Sequence, residues 1–225
     1  MSEARPAFYA LAPGGWRDYL TLLHPPYTLW HLSYVAIGAA LAPQMKWGVL
    51  GWTVLAFLLA LGVGAHALDE LTGRPLGTQI PGPLLVALAA VSIGMACAIG
   101  IVVASRSTWW LLLFVAEGAF IVVAYNLELF GGAFHSDLWF ALAWGAFPVL
   151  TAYFASAERL RGEAVAAAAF AVFASLAQRT LSTQVRHARR HVGDAASARP
   201  AEVALQLLAA ALPLLAGALL LARSG

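Results

Sequence analysis

The sequence predicts an all-α integral membrane protein, in which a polytopic transmembrane helix bundle of about seven spans follows a short N-terminal helix at the membrane interface. Hydrophobic residues make up 61% of its 225 residues and charged residues only 11%, whereas an average soluble domain has about 25% charged residues. The mean hydropathy is +0.78. Apolar stretches of roughly 15 to 22 residues recur along the chain, close to the length needed to cross a bilayer.

The composition also excludes several classes of protein. A formal net charge of only +2 argues against nucleic acid as a partner. The single cysteine, Cys97, lies inside an apolar stretch, so neither a disulfide nor a cysteine-rich metal site is expected. The first 20 residues lack a basic start followed by an apolar run, so no cleavable signal peptide is expected.

The elements follow one another as a single domain over residues 1–225. Trp16 and Tyr19, among charged and leucine residues, predict a short interfacial helix that ends at His24-Pro25-Pro26. Pro148 falls inside the fifth span, and Pro213 predicts a kink in the seventh. The predicted spans cover residues 27–41, 47–68, 84–104, 109–127, 138–155, 164–180 and 201–222.

The distribution of Lys and Arg favours a cytoplasmic N-terminus in an inner (plasma) membrane, because loops rich in these residues stay in the cytoplasm. With that orientation five basic residues face outward: Lys46, Arg106, Arg159, Arg161 and Arg223. Eight face the cytoplasm: Arg5, Arg17, Arg74, Arg179, Arg186, Arg189, Arg190 and Arg199. The end of span two and the end of span six then lie on the same side of the membrane.

A histidine and two carboxylates close the second span. His66, Asp69, Glu70 and Gly73 are spaced i, i+3, i+4 and i+7, which places them on one face of a helix that Arg74-Pro75 ends. Such charge must meet water, a metal or a cation. Two interpretations stay open: a magnesium or anion site, and a charged helix end resting among lipid headgroups.

A basic cluster closes the sixth span. Gln178 and Arg179 come first. Arg186 follows Arg179 by seven residues and Arg190 follows Arg186 by four, so the three arginines share one helical face. They suit a diphosphate, or equally an anchor on anionic lipid. The nearby pair His187 and His191 has helical spacing but lacks the adjacent glutamate of a zinc site.

Two further features lie in spans four and five. Glu117 sits near the middle of span four, where a carboxylate is either functional or a neutral acid hydrogen-bonded between helices. Tyr125, Asn126 and Glu128 follow at the cytoplasmic end of that span. Gly145 favours close helix packing. The aromatic residues of span five line an isoprenoid-sized tunnel or pack as ordinary bundle residues: Phe140, Trp144, Phe147, Tyr153 and Phe154.

These residues resemble the UbiA-type membrane prenyltransferase superfamily over roughly residues 20–190. Residues 24–28 (HPPYT) resemble its Arg-Pro sequence before span one, with His in place of Arg. Residues 69–76 (DELTGRPL) resemble its first aspartate motif, N-D-x-x-D-x-x-x-D, with the Arg-Pro-Leu that follows. Ala65-His66 stands where the family has Asn-Asp, and Gly73 where it has Asp. The second aspartate motif is replaced by residues 178–183 (QRTLST).

The resemblance implies a helical bundle with a cavity open to the cytoplasm and to lipid. By that resemblance, Asp69 and Glu70 hold magnesium, and His66 joins them as the catalytic group. The same resemblance implies six substrate-binding residues, which contact the diphosphate or line its pocket: Arg74, Tyr125, Asn126, Gln178, Arg179 and Arg186.

Three functions are compatible with the sequence. The first is a divergent prenyltransferase that moves an isoprenoid from its diphosphate to a lipophilic acceptor. The second is a non-catalytic subunit that binds a quinone, carotenoid or lipid within a larger membrane complex, which the missing aspartates favour. The third is a transporter, permitted by Glu117 and Pro148 but weakened by the lack of an inverted repeat in the sequence.

Overall fold

The computed structural model of the chain describes residues 7–188 and 195–224. Helices make up 80% of it, and these residues form no strand, as the sequence predicts. Four residues singled out in the sequence lie outside the described ranges: Arg5, Arg189, Arg190 and His191.

Eight helices account for the bundle in the described part of the chain. They are α1 Trp16–Leu22, α2 Pro25–Leu41, α3 Trp47–Leu71, α4 Gly82–Arg106, α5 Leu111–Asn126, α6 Asp137–Ala157, α7 Gly162–His187 and α8 Ala195–Leu221. Five of them (α3, α4, α6, α7 and α8) are long and apolar enough to cross a membrane, which indicates a membrane protein. The predicted count of seven spans is not confirmed, since α2 has only 17 residues and α5 only 16.

Helix α2 lies at the centre of the bundle, where it packs against α3, α6 and α8. Its Trp30 and Tyr34 side chains are completely buried. At Gly38 the backbones of α2 and α6 come so close that a Cβ atom would lie 2.2 Å from the Val149 carbonyl oxygen. Gly145 allows a similar approach of α6 to α7, as predicted, because its Cβ would lie 2.7 Å from the Ala171 carbonyl oxygen.

Two of the long helices contain π-helical stretches, which are often found near functional sites. These are Leu58–Ala65 in α3 and Ala141–Ala146 in α6. Pro148, inside α6 as predicted, has no N–H to donate to the Trp144 carbonyl one turn earlier. That carbonyl instead accepts a hydrogen bond from His31 Nδ1 of α2, at 2.9 Å.

The loops alternate between the two ends of the bundle. At one end Lys46 pairs with Glu158 at 2.9 Å, which joins the α2–α3 loop to the α6–α7 loop. Arg223, beyond α8, donates to the carbonyls of Ala40 and Ala42 at the end of α2. The ends of α3, α5 and α7 therefore gather at the opposite end of the bundle.

Helix α3 runs three residues further than the predicted span. It ends at Leu71 because Gly73 and Arg74 take left-handed backbone conformations, with φ of 94° and 53°. The prediction that Gly73 continues the helical face of His66, Asp69 and Glu70 is therefore wrong. The turn begins before Arg74-Pro75, so the proline is not what ends the helix.

Candidate functional site

The ends of α3, α5 and α7 carry a group of side chains that we call the polar mouth. It consists of Asp69, Tyr125, His135, Arg179 and Arg186. Asp69 interacts electrostatically with His135 and with both arginines. Tyr125 interacts in the same way with Asp69 and with both arginines. The acidic end of α3 and the basic end of α7 thus lie at the same end of the bundle, within range of electrostatic interaction.

Arg179 is fixed by two contacts with the first turn of α6. Its Nε donates to Asp137 Oδ1 at 2.9 Å, and its Cζ lies 5.0 Å from the centre of the Phe140 ring. The guanidinium group has other N–H donors beside Nε. Its planar fork can therefore bind a phosphate while Nε keeps its bond to Asp137.

Arg186 lies two turns further along α7. Its Nη1 donates to Ser182 Oγ at 3.2 Å, and its Nη2 donates to Thr183 Oγ1 at 2.8 Å. Both partners are one turn earlier in the same helix, which directs the guanidinium back towards Arg179. The two arginines therefore concentrate positive charge on one side of the mouth.

Tyr125 and His135 form another wall of the mouth. Their rings are stacked with centroids 4.5 Å apart, and His135 Nδ1 donates to the Tyr125 carbonyl at 3.0 Å. The Tyr125 ring is also 5.2 Å from the ring of Trp144. Tyr125 therefore joins the polar mouth to the aromatic interior of α6.

Glu70 and Arg74 occupy a different place from the one expected of diphosphate or metal ligands. Glu70 is completely buried and accepts three hydrogen bonds, from the Leu76 N–H, the Thr78 N–H and the Thr78 hydroxyl. Arg74 Nη1 donates to the carbonyls of Thr78 and Ile80. Both side chains thus hold the loop that follows α3, and of the two carboxylates only Asp69 belongs to the mouth.

The other predicted site residues surround the mouth without sharing its charges. Asn126 is buried, and its Nδ2 donates to the Val122 carbonyl of its own helix at 2.7 Å. Gln178 is buried, and its Oε1 has no partner among the described residues. His66 Nδ1 donates to the Gly62 carbonyl at 3.1 Å.

Glu117 does not contribute to the mouth. It is exposed on the outer face of α5 and makes no hydrogen bond with the residues that the structure describes. The interpretation of Glu117 as an acid bonded between two helices therefore finds no support among the residues that the structure describes.

Sequence reasoning missed four residues in or beside the mouth. His135 and Asp137 lie in and just after the loop between α5 and α6, and Tyr9 precedes α1. Tyr9 interacts electrostatically with Asp69 and Arg186. His24 stands in the sequence where the resembled family has Arg, but it is not among the predicted site residues. Tyr9, His135 and Asp137 belong to no spaced motif, so only the predicted topology, which gathers these loops at one end, could have indicated them.

An apolar cleft lies between α3, α4, α5 and α6 and opens to its surroundings. Residues along its walls include Leu61, Ile93, Phe114, Val122, Ala143 and Trp144. Three of the four helices run from the cleft to the mouth: α3 from Leu61 to Asp69, α5 from Val122 to Tyr125, and α6 from Trp144 back to Phe140.

The polar mouth can bind an anionic group, and the apolar cleft can hold a hydrocarbon chain. Arginine side chains bind phosphate or carboxylate, and an apolar cleft lowers the free energy of a hydrocarbon chain. Comparisons of the chain with protein-family models, with curated proteins and with solved structures find no match.

Proposed function

We propose that the protein is a divergent UbiA-like membrane prenyltransferase, which moves an isoprenoid from its diphosphate to a lipophilic acceptor. The observation that supports this most is the grouping of Asp69 with Arg179 and Arg186 at one end of a bundle whose helices α3, α5 and α6 also line an apolar cleft. A prenyl diphosphate likewise has a charged group at one end, which suits the mouth, and an apolar tail, which suits the cleft.

The two arginines account for the head of the substrate. A diphosphate is a good leaving group only where its developing charge is neutralised. Arg179 and Arg186 are held by Asp137, Ser182 and Thr183, so they are already oriented before substrate binds. They take the place that a second metal-binding aspartate motif has in the resembled family.

Magnesium fits this site through Asp69. The described residues contain no group of three His, Cys, Asp or Glu side chains that could hold a metal. Magnesium nevertheless binds phosphates with only one or two protein carboxylates, so Asp69 would hold the ion together with the diphosphate and bound waters. When bound there, the ion would neutralise charge on the diphosphate, while Asp69 fixes its position.

The cleft would hold the isoprenoid tail and keep water away from the reacting carbon. On α5 its lining runs from Leu111 to Val122, which spans about 16 Å at 1.5 Å per residue. Cleavage of the allylic C–O bond leaves an electron pair on the diphosphate and a carbocation on the isoprenoid. The apolar walls exclude water from that cation until an acceptor forms the new bond and loses a proton.

The seven-span topology is part of the same proposal. Helices α2 and α5 complete the membrane crossing as short spans, and α1 lies in the interface with Trp16, Tyr19 and Leu20 exposed. In this proposal the N-terminus and the polar mouth face the cytoplasm from an inner (plasma) membrane. This orientation follows from the distribution of the arginines.

A second function is favoured by one specific observation. Both Glu70 oxygens are used by the loop after α3, which leaves a single mouth carboxylate for a metal. The same mouth and cleft would then hold a quinone, carotenoid or lipid without turnover, within a larger membrane complex. Copurification of a stoichiometric pigment or partner protein favours this alternative.

The experiment that separates the two functions is direct. Purified protein in detergent is incubated with magnesium, labelled farnesyl or geranylgeranyl diphosphate, and a panel of lipophilic acceptors. Release of diphosphate with a prenylated product supports the transferase, and Asp69→Asn serves as the inactive control. Binding without release in the presence of every acceptor supports the non-catalytic subunit, and absence of binding contradicts the transferase.

A further inference from the structure

His24 has a nitrogen atom that is buried and without a hydrogen-bond partner. The ring is packed beside the mouth, and its Nε2 is paired with no polar atom of the described residues. Burial without a partner is costly for a polar group, so such atoms in native structures call for an explanation. A ligand that bonds to the atom is one such explanation.

Two neighbours hold the His24 ring in place. The Tyr9 hydroxyl lies 2.6 Å from His24 Nδ1. The ring stacks on that of His66, with centroids 4.1 Å apart and an angle of 19° between the planes. The His24 backbone has φ of 45°, a left-handed conformation that is strained for a residue with a Cβ. Holding the ring in this position therefore costs conformational free energy.

The hydrogen bond to Tyr9 indicates which nitrogen carries the proton. Burial raises the pKa of the Tyr9 phenol far above its usual value, so the phenol keeps its proton and donates to Nδ1. Burial also lowers the pKa of His24 well below its usual value, so the ring is neutral and has one N–H. With Nδ1 as acceptor, that N–H belongs to Nε2.

His24 also lies in the right place to meet a ligand head. Its stacking partner His66 precedes Asp69 by three residues on α3, and Tyr9 interacts electrostatically with Asp69 and Arg186. An Nε2–H without a partner, next to a tyrosine that interacts with Arg186, suits an anionic oxygen acceptor such as a phosphate oxygen.

We propose that His24 binds a phosphate oxygen of the ligand head through Nε2–H, and that Tyr9 is the positioning residue that fixes its tautomer. The inference rests on the proposed function for the identity of the ligand, a prenyl diphosphate. A phospholipid headgroup offers the same phosphate chemistry. His24 adds a neutral donor to the two charged guanidinium groups, so it gives direction to the phosphate without adding charge.

The test uses the full chain in nanodiscs with 15N-labelled histidine. The six histidines give a sparse NMR spectrum, and the His24 signals are assigned by their loss in His24→Asn. The three probes are inorganic diphosphate, farnesyl diphosphate, and phosphatidic acid added to the bilayer. We expect farnesyl diphosphate to move the His24 Nε2–H proton signal downfield, as a stronger hydrogen bond requires.

Two variants form a matched pair for binding measurements. In His24→Asn the amide keeps a group near Nδ1, for Tyr9, but has none at Nε2. In His24→Gln the amide reaches the Nε2 position instead. We expect His24→Asn to bind farnesyl diphosphate about tenfold more weakly and His24→Gln to bind nearly as well as the wild type. Tyr9→Phe should have an intermediate affinity and an altered His24 tautomer signal.

The outcomes separate this inference from the proposed function. A shift with inorganic diphosphate or phosphatidic acid alone supports His24 as a phosphate ligand and contradicts prenyl diphosphate binding. Suppose that farnesyl diphosphate binds tightly, leaves the His24 signal unmoved and has equal affinity for both variants. That result overturns only the role of His24 and leaves the proposed function standing. No shift with any probe also overturns it. If His24→Asn does not fold, the loss of the signal in His24→Gln supplies the assignment, and the wild-type spectrum then decides the matter.

Discussion

Thr78 donates two hydrogen bonds to Glu70 Oε1, one from its backbone N–H and one from its hydroxyl, each of 2.8 Å. The preceding residue of the same helix, Asp69, interacts instead with the arginines of α7. Neighbouring helical residues point about 100° apart, so two adjacent carboxylates serve different parts of the molecule. Glu70 holds the loop after α3, and Asp69 belongs to the polar mouth.

Glu70→Ala should destabilise the protein more than any change at Asp69. It leaves the N–H groups of Leu76 and Thr78 buried without an acceptor, at a cost of about 1–3 kcal/mol each. Thr78→Val removes only the hydroxyl bond and should cost about 1 kcal/mol. Thermal unfolding in detergent measures both, and equal midpoints for Glu70→Ala and the wild type would contradict this role.

Asp69→Asn should have the opposite effect. The amide keeps the size of the side chain but removes the charge that faces Arg179 and Arg186. We expect diphosphate release to fall at least about 100-fold, as for loss of a key electrostatic group, with the unfolding midpoint nearly unchanged. Glu117→Gln, an exposed change on the outer face of α5 outside the mouth, is the matched control. Wild-type turnover in Asp69→Asn contradicts a metal-binding or electrostatic role.

Arg179→Lys tests whether the shape of the guanidinium matters as well as its charge. Lysine keeps the positive charge but loses the planar fork that bonds Asp137 and stacks on Phe140. We expect weaker binding of farnesyl diphosphate, by about tenfold, and a larger loss for Arg179→Gln. Isothermal titration of both variants measures this. Equal affinities for wild type, lysine and glutamine would exclude Arg179 from the binding site.

The stability of the protein should fall as the pH drops below about 6.5, the usual pKa of histidine. Burial lowers the pKa of His24 in the folded state, so below pH 6.5 the unfolded chain binds a proton that the folded chain does not. The contribution of His24 is therefore complete above that pH and is lost as the pH falls. Unfolding midpoints measured from pH 8 to pH 5 should decline less in His24→Gln than in the wild type.

Cysteine labelling tests the orientation of the bundle. Cys97 lies inside α4 and lines the apolar cleft, so it can be replaced by Ala before single cysteines are introduced. Arg159→Cys is at the end of the bundle away from the mouth, and Gln184→Cys is at the mouth end; both positions are exposed. An impermeant maleimide should label the first in intact cells and the second only after permeabilisation. The reverse pattern would contradict a cytoplasmic mouth.

Much of the fold could be predicted from apolar segment length. The predicted segments 84–104 and 164–180 correspond to α4 and α7. The observed helices begin within a few residues of the predicted positions, because the length of an apolar segment limits where a helix can run. Alternation of the loops then placed Asp69 and Arg179 at the same end of the bundle. The number of membrane crossings could not be settled, because α2 and α5 are close to the minimum length.

The site was less predictable than the fold. Spacing on a helix shows which residues share a face, but it cannot show that Leu76 and Thr78 fold back onto Glu70. The left-handed turn at Gly73 and Arg74 causes that return. The pairing of Tyr9 with His24 likewise joins residues 15 positions apart across a short helix, which no periodic pattern encodes.

The central claim is that one amphiphile occupies the mouth and the cleft together. A photoreactive farnesyl diphosphate analogue, with the reactive group at the end of its tail, tests this claim most directly. Mass spectrometry should find its adducts on cleft residues of α4 and α5, such as Ile93 or Phe114, and inorganic diphosphate should compete with labelling. Adducts confined to outward-facing residues such as Val91 or Leu113, without competition by diphosphate, would contradict it.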